Sequence, residues 1–144
     1  MKVLIVDDSS TMRRIVGNAL KQVDAQATVV EAEDGVDGFT KYEANKDANL
    51  ILCDWNMPNM NGFDLLVKLV GSGCKTPIIM VTTEAEKENV IKAIKAGAKN
   101  YITKPFTPDI FSAKVKQTLG MKSTVPLSWI SPFIDYLSTR RPAA

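Results

Sequence analysis

Leu50-Ile51-Leu52-Cys53-Asp54 carries the architecture: four apolar residues run directly into an acidic one. A short apolar run without alternation reads as a strand buried on both faces. Asp54 then stands where that strand stops. The loop after it, Trp55-Asn56-Met57-Pro58-Asn59-Met60-Asn61-Gly62, is rich in turn formers. The same pattern occurs upstream, where Val3-Leu4-Ile5-Val6 stops at Asp7-Asp8. Downstream, Pro77-Ile78-Ile79-Met80-Val81 stops at Thr82-Thr83, and a strand from Asn100 to Thr103 stops at Lys104-Pro105. Residues Ala27 to Glu31 form a weaker strand.

Helix-period segments lie between these runs. Ser9 or Ser10 caps a helix to about Gln22, with Met12, Ile15, Val16, Ala19, Leu20 and Val23 as its apolar stripe. A second helix covers Gly35 to Ala44, its inner edge marked by Val36, Phe39 and either Tyr42 or Glu43. A third runs from Phe63 to Val70. A fourth runs from Glu84 to Ala96, with Val90, Ile91, Ile94 and Ala98 on its apolar side and Gly97 as C-cap. Thr107-Pro108 opens a fifth, ending near Gly120. Five β-α units in series predict an α/β fold, a doubly wound five-stranded parallel sheet with helices on both faces. It spans residues 1–120, and 121–144 form a short C-terminal extension. Ligands of such sheets bind outside the carboxyl ends of the strands.

Composition narrows the chemistry. The formal charge of the 144 residues is +2. Residues 1–120 are balanced, and the excess comes from Lys122, Arg140 and Arg141 against Asp135. That distribution offers no footprint for nucleic acid. There is no histidine, which excludes His-based acid–base catalysis, His–zinc sites and a Ser-His-Asp triad. Cys53 reads as a small buried hydrophobe, and Cys53 and Cys74 have no metal-ligand spacing. No apolar run approaches the ~20 residues of a membrane span, and the first residues do not form a signal peptide. The expected location is the cytoplasm.

The strand ends bring Asp7, Asp8 and Asp54 to one rim, with Thr82 and Lys104 beside them. Three carboxylates so close must be protonated or neutralised by a cation. With oxygen ligands and no imidazole, a hard ion is favoured, Mg2+ first. Lys104 adds a point charge for a phosphate oxygen, and Thr82 a hydroxyl donor. The set reads as a phosphoryl site with a carboxylate nucleophile. Each residue alone also has a plain reading. Asp7 or Asp8 can be a helix N-cap, Asp54 a turn residue, Lys104 a solvated strand end and Thr82 structural. Their alignment at consecutive or switching strand ends favours the site.

Four separated motifs then carry a resemblance: Asp7-Asp8, Asp54 through Gly62, Val81-Thr82-Thr83-Glu84, and Tyr101-Ile102-Thr103-Lys104-Pro105-Phe106. Together they resemble the response-regulator receiver family, nearest its chemotaxis members, over residues 1 to about 120. The resemblance implies the flavodoxin-like strand order 2-1-3-4-5, which the apolar pattern alone does not give. It implies that Asp54 is the phosphoacceptor. Asp8 is a direct Mg2+ ligand, Asp7 binds mainly through water, and the backbone carbonyl of Asn56 contributes a third contact. Thr82 and Lys104 contact the phosphoryl oxygens, and Tyr101 is the aromatic switch that moves inward with Thr82. Asn56 and Glu84 tune the phosphate lifetime, and Lys104-Pro105 is cis.

The expected function is a single-domain response regulator of a two-component phosphorelay, phosphorylated on Asp54 from a sensor histidine kinase. It catalyses its own phosphorylation and dephosphorylation without being a conventional enzyme. Some 24 residues after 120 are too few for an output domain, so output is binding to a protein. The resemblance implies the flagellar motor switch as target, with a phosphatase as a further partner.

A phosphohydrolase with an aspartyl intermediate is the competing class. Such enzymes carry a second Asp two residues after the nucleophile, where this chain has Asn56. A scaffold that docks without phosphorylation is the third reading, disfavoured by the intact set of site residues. In the extension, Ser131 and Pro132 open a helical pattern with Trp129, Ile130, Phe133, Ile134 and Leu137 on one face. That face fits packing on its own domain, insertion in a partner's groove, or a peptide foreign to the fold.

Overall fold

The computed structural model describes residues 1–83 and 86–121. The readings made for Glu84 and for the amphipathic extension lie outside the described residues. Five strands and five helices alternate: β1 (Lys2–Val6), α1 (Ser10–Val23), β2 (Thr28–Ala32), α2 (Gly35–Ala44), β3 (Leu50–Cys53), α3 (Gly62–Gly71), β4 (Ile78–Thr82), α4 (Lys87–Ala96), β5 (Asn100–Thr103) and α5 (Pro108–Thr118). The sheet is parallel in the order β2-β1-β3-β4-β5.

The apolar runs sit where burial on both faces requires them. β1, β3 and β4 are central, and every residue of β3 and β4 is buried. Period-two alternation divides the core in two. Leu4, Val6, Ile51, Cys53, Ile78, Met80 and Tyr101 face one way and pack with Leu65, Leu66, Leu69, Val90 and Ile94 of α3 and α4. Val3, Ile5, Leu50, Leu52, Ile79, Val81 and Ile102 face the other way, toward Val16, Leu20, Phe111 and Val115 of α1 and α5. The weak β2 is an edge strand, with only Ala32 fully buried.

Caps fix the helix starts. Ser9, not Ser10, caps α1 by accepting from the Met12 N–H; Asp34 caps α2, Asn61 caps α3 and Thr107 caps α5. Gly97 ends α4 with φ 124°, a backbone that favours glycine. β2 and β4 each lie one residue later than expected, and α4 starts at Lys87 rather than Glu84.

Two expected core positions are corrected. Ile15 is 45% exposed and Val36 is 52% exposed. In α1 the buried stripe runs through Val16, Ala19 and Leu20, and Ile15 lies about 100° around the helix from Val16, past its edge. In α2 the buried face is Gly35, Gly38 and Tyr42. A Cβ on Gly38 would sit 3.0 Å from both Leu65 and Val6, so the helix approaches the sheet through its glycines. Glycine carries no hydropathy, so that face was invisible to an apolar pattern.

Candidate functional site

Register brings the acids together. Val6 is level with Cys53, so Asp7 and Asp54 leave adjacent strands side by side. The Asp7 N–H donates to the Ala32 carbonyl at 3.0 Å and the Asp54 N–H to the Val6 carbonyl at 2.9 Å, extending the ladder to the rim. Asp7 is 4% exposed and Asp54 8% exposed, whereas Asp8 faces solvent. One oxygen from each of Asp7, Asp8 and Asp54 lies within 4.8 Å of the others.

Lys104 reaches into this cluster from the end of β5. Its Nζ donates to Asp7 Oδ2 at 2.9 Å and lies 3.4 Å from Asp54 Oδ1. The Lys104 N–H donates to the Thr82 carbonyl at 2.9 Å, tying the ends of β4 and β5. Thr82 is 2% exposed. The peptide bond between Lys104 and Pro105 is cis. Asp7 Oδ1 accepts from the Ser9 N–H at 2.9 Å, and Asp54 Oδ1 from the Trp55 N–H at 2.8 Å.

Burial pushes the Asp54 carboxyl above the ordinary carboxylate range; the Lys104 ammonium offsets part of this, and Asp7 adds to the rise. Beside it the Cys53 thiol donates to the Asp54 carbonyl at 3.2 Å, and burial pushes that thiol far up, so it stays protonated. The cluster therefore offers hard oxygen ligands and no thiolate. Three acidic groups against one lysine leave a charge deficit that a divalent cation fits. Asp7→Asn is expected to weaken Mg2+ binding by at least about tenfold, read by calorimetric titration, because one near charge is removed.

Three contributors were not found from sequence. Arg13 donates from Nη1 to the Asp7 carbonyl at 2.7 Å and from Nε to Glu31 at 3.0 Å, bracing β1, α1 and β2 beneath the acids. One of two adjacent arginines near a helix start, Arg13 beside Arg14, gave no signal. Asp34 accepts from Asn59 Nδ2 at 2.7 Å, holding the Asp54 loop to α2. Asn59 itself has φ 66°, a conformation asparagine tolerates. Gly62 packs so close that an added Cβ would collide with the Asp54 carbonyl oxygen, and its N–H donates to the Trp55 carbonyl at 2.7 Å. Backbone cannot yield as a side chain would. Gly62→Ala should cost at least about 2 kcal/mol in urea denaturation, and slower Asp54 chemistry should accompany it.

Residues 3–116 match the family of response regulator receiver domains. The chain belongs to that family. The receiver is 52% identical over 123 residues to the chemotaxis protein CheY1 of Helicobacter pylori, covering 83% of this chain and 98% of that protein. It is 50% identical over 126 residues to the CheY homologue of Campylobacter jejuni, covering 85% and 95%. Among solved structures, chemotaxis protein CheY4 of Vibrio cholerae superposes with a TM-score of 0.74 at 33% identity, covering 82% and 98%. These likenesses put the receiver among chemotaxis response regulators, which are signalling switches. No helix among the described residues is long and apolar enough to cross a membrane.

Proposed function

We propose that Asp54 is the phosphoacceptor of this receiver and that its modification changes affinity for a protein partner. One observation carries this reading: the buried Asp54 carboxylate sits beside Asp7 with the Lys104 ammonium 3.4 Å away, at the C-terminal rim of the sheet. A buried carboxylate flanked by a second acid is costly unless its setting serves a cation and an incoming anion.

In this reading Asp8, Asp54 and the Asn56 carbonyl would hold Mg2+, with Asp7 contributing mainly through water. When bound, Mg2+ neutralises charge on the phosphoryl oxygens. An Asp54 oxygen attacks the phosphorus of a phosphohistidine on a sensor kinase, or of a small phosphodonor. The P–N or P–O bond of the donor breaks, its electron pair stays with the leaving group, and an acyl phosphate forms on Asp54. Lys104 turns from Asp7 toward a phosphoryl oxygen, and the Thr82 hydroxyl donates to another. Water later attacks phosphorus, releasing inorganic phosphate and restoring the carboxylate. Asn56 and Glu84 set the rate of that step.

The phosphoryl group adds about −1.5 to −2 charge. Thr82 and Lys104 are drawn to it, and the inward place of the Tyr101 ring, already 4% exposed without a phosphoryl group, is favoured further. The surface of α4, β5 and α5 is thereby biased between two states, and a change from 1% to 99% needs about 5.5 kcal/mol of differential stabilisation. A partner that prefers one state supplies part of this. The partners are a sensor histidine kinase, a phosphatase and, as output, the flagellar motor switch; the setting is the cytoplasm.

Incubation with acetyl phosphate and Mg2+ tests the reading. Mass spectrometry should find an alkali-labile phosphoryl adduct on Asp54 that EDTA prevents. Beryllofluoride with Mg2+ should raise recovery of the partner in a pull-down. An adduct on another residue, or equal recovery with and without beryllofluoride, would overturn it.

A further inference from the structure

Lys114 lies on α5, whose outer face would ordinarily keep a lysine in water. Instead it is 2% exposed. Its Nζ donates to the Tyr101 carbonyl at 2.7 Å and stands 3.7 Å from the centroid of the Tyr101 ring. No ion pair to Lys114 occurs among the described residues. Burial pushes its ammonium down to about 8, yet at neutral pH it still carries its proton. A desolvated cation of this kind depends on what surrounds it, and among the described residues the Tyr101 carbonyl and ring stand against it.

The backbone beneath the pair is fixed independently. Asn100 donates from Nδ2 to Gln117 Oε1 at 3.1 Å and to Thr118 Oγ1 at 3.2 Å, and its Oδ1 accepts from the Tyr101 N–H at 2.9 Å. This staples β5 to α5 whatever the ring does. The variable element is the Tyr101 side chain, now 4% exposed. Rotating that ring outward would leave the carbonyl bond intact but strip the aromatic face from a buried charge. The ammonium therefore discriminates between the ring's two positions, while the carbonyl bond does not.

We infer that Lys114 is a positioning residue that holds the Tyr101 ring inward, biasing the α4–β5–α5 surface before any phosphoryl group arrives. The inference deepens the reading under Proposed function, since it is there that Tyr101 acts as the switch. Lys114 touches none of the site carboxylates, so its effect is on the resting balance of ring positions rather than on chemistry at Asp54.

The test uses the full chain labelled with 3-fluorotyrosine, with the Tyr101 resonance assigned through Tyr101→Phe. In the resting protein, Lys114→Met keeps the methylene stem and removes the charge. The ratio of inward to outward ring should fall on the order of tenfold, Lys114→Arg should restore it, and acetyl phosphate should still modify Asp54. A folded Lys114→Met protein whose Tyr101 resonance matches wild type overturns the inference. Should that variant not fold, wild-type proton spectra decide. The ε-methylene protons of Lys114 should be shifted upfield by the ring, an effect lost in Tyr101→Leu, and their absence from the upfield region overturns it too. A wild-type Tyr101 resonance that ignores beryllofluoride would sink the switch role of Tyr101, while the resting comparison would still decide the role of Lys114.

Discussion

Asp54→Asn is expected to lose phosphate incorporation from acetyl phosphate and Mg2+ by at least about three orders of magnitude, to the limit of detection. An amide nitrogen and carbonyl offer no anionic oxygen to the phosphorus, and Asp7, the other buried acid of the cluster, is already hydrogen-bonded to Lys104 at 2.9 Å. The fold should survive. Burial and Asp7 both disfavour the charged form of Asp54, so replacing it with a neutral near-isostere removes a repulsion. Its thermal midpoint should equal or exceed that of wild type. Mass spectrometry of the two proteins, with scanning calorimetry beside it, separates a chemical loss from a folding loss. A substantial alkali-labile adduct on the Asp54→Asn protein would mean that the nucleophile is elsewhere.

Lys104→Met should move two quantities in opposite directions. Lys104 is the one ammonium within ion-pair distance of Asp7 and Asp54 among the described residues. Without it the acids face one another uncompensated, so a divalent cation should bind more tightly. Phosphoryl transfer should nonetheless slow by about 10²–10³, because a preorganised cation aimed at the developing charge is gone. Calorimetry reads the first quantity and time-resolved mass spectrometry the second. A transfer rate unchanged at saturating Mg2+ would demote Lys104 to a structural counter-ion of Asp7. Methionine retains the apolar stem, so lost packing does not confuse the comparison.

Much of the site was legible because a parallel sheet turns sequence order into spatial position. Each apolar run ends where its strand ends, so the residues after β1, β3, β4 and β5 share one rim. Asp7, Asp54 and Lys104 needed only that rule. Arg13 escaped because its role is a hydrogen bond to a carbonyl across a turn, and carbonyls look alike in a sequence. Asp34 escaped as the anchor of Asn59, since the two lie 25 positions apart. Val36 was misplaced because α2 packs through Gly35 and Gly38, and closeness of backbones leaves no apolar mark.

Hydropathy read along the chain was enough to set the alternation of strand and helix, the two-sided burial of the central strands and the acids at their ends. Those features follow from local patterns, which act on neighbours in sequence. Three others took shape only when the chain had folded: the burial of α2 through Gly35 and Gly38, how Lys104 is shared between Asp7 and Asp54, and the enclosure of Lys114 beneath Tyr101. A lysine's place in water or out of it depends on the elements that close over it, here β5 laid against α5, and hydropathy along the chain does not show that docking.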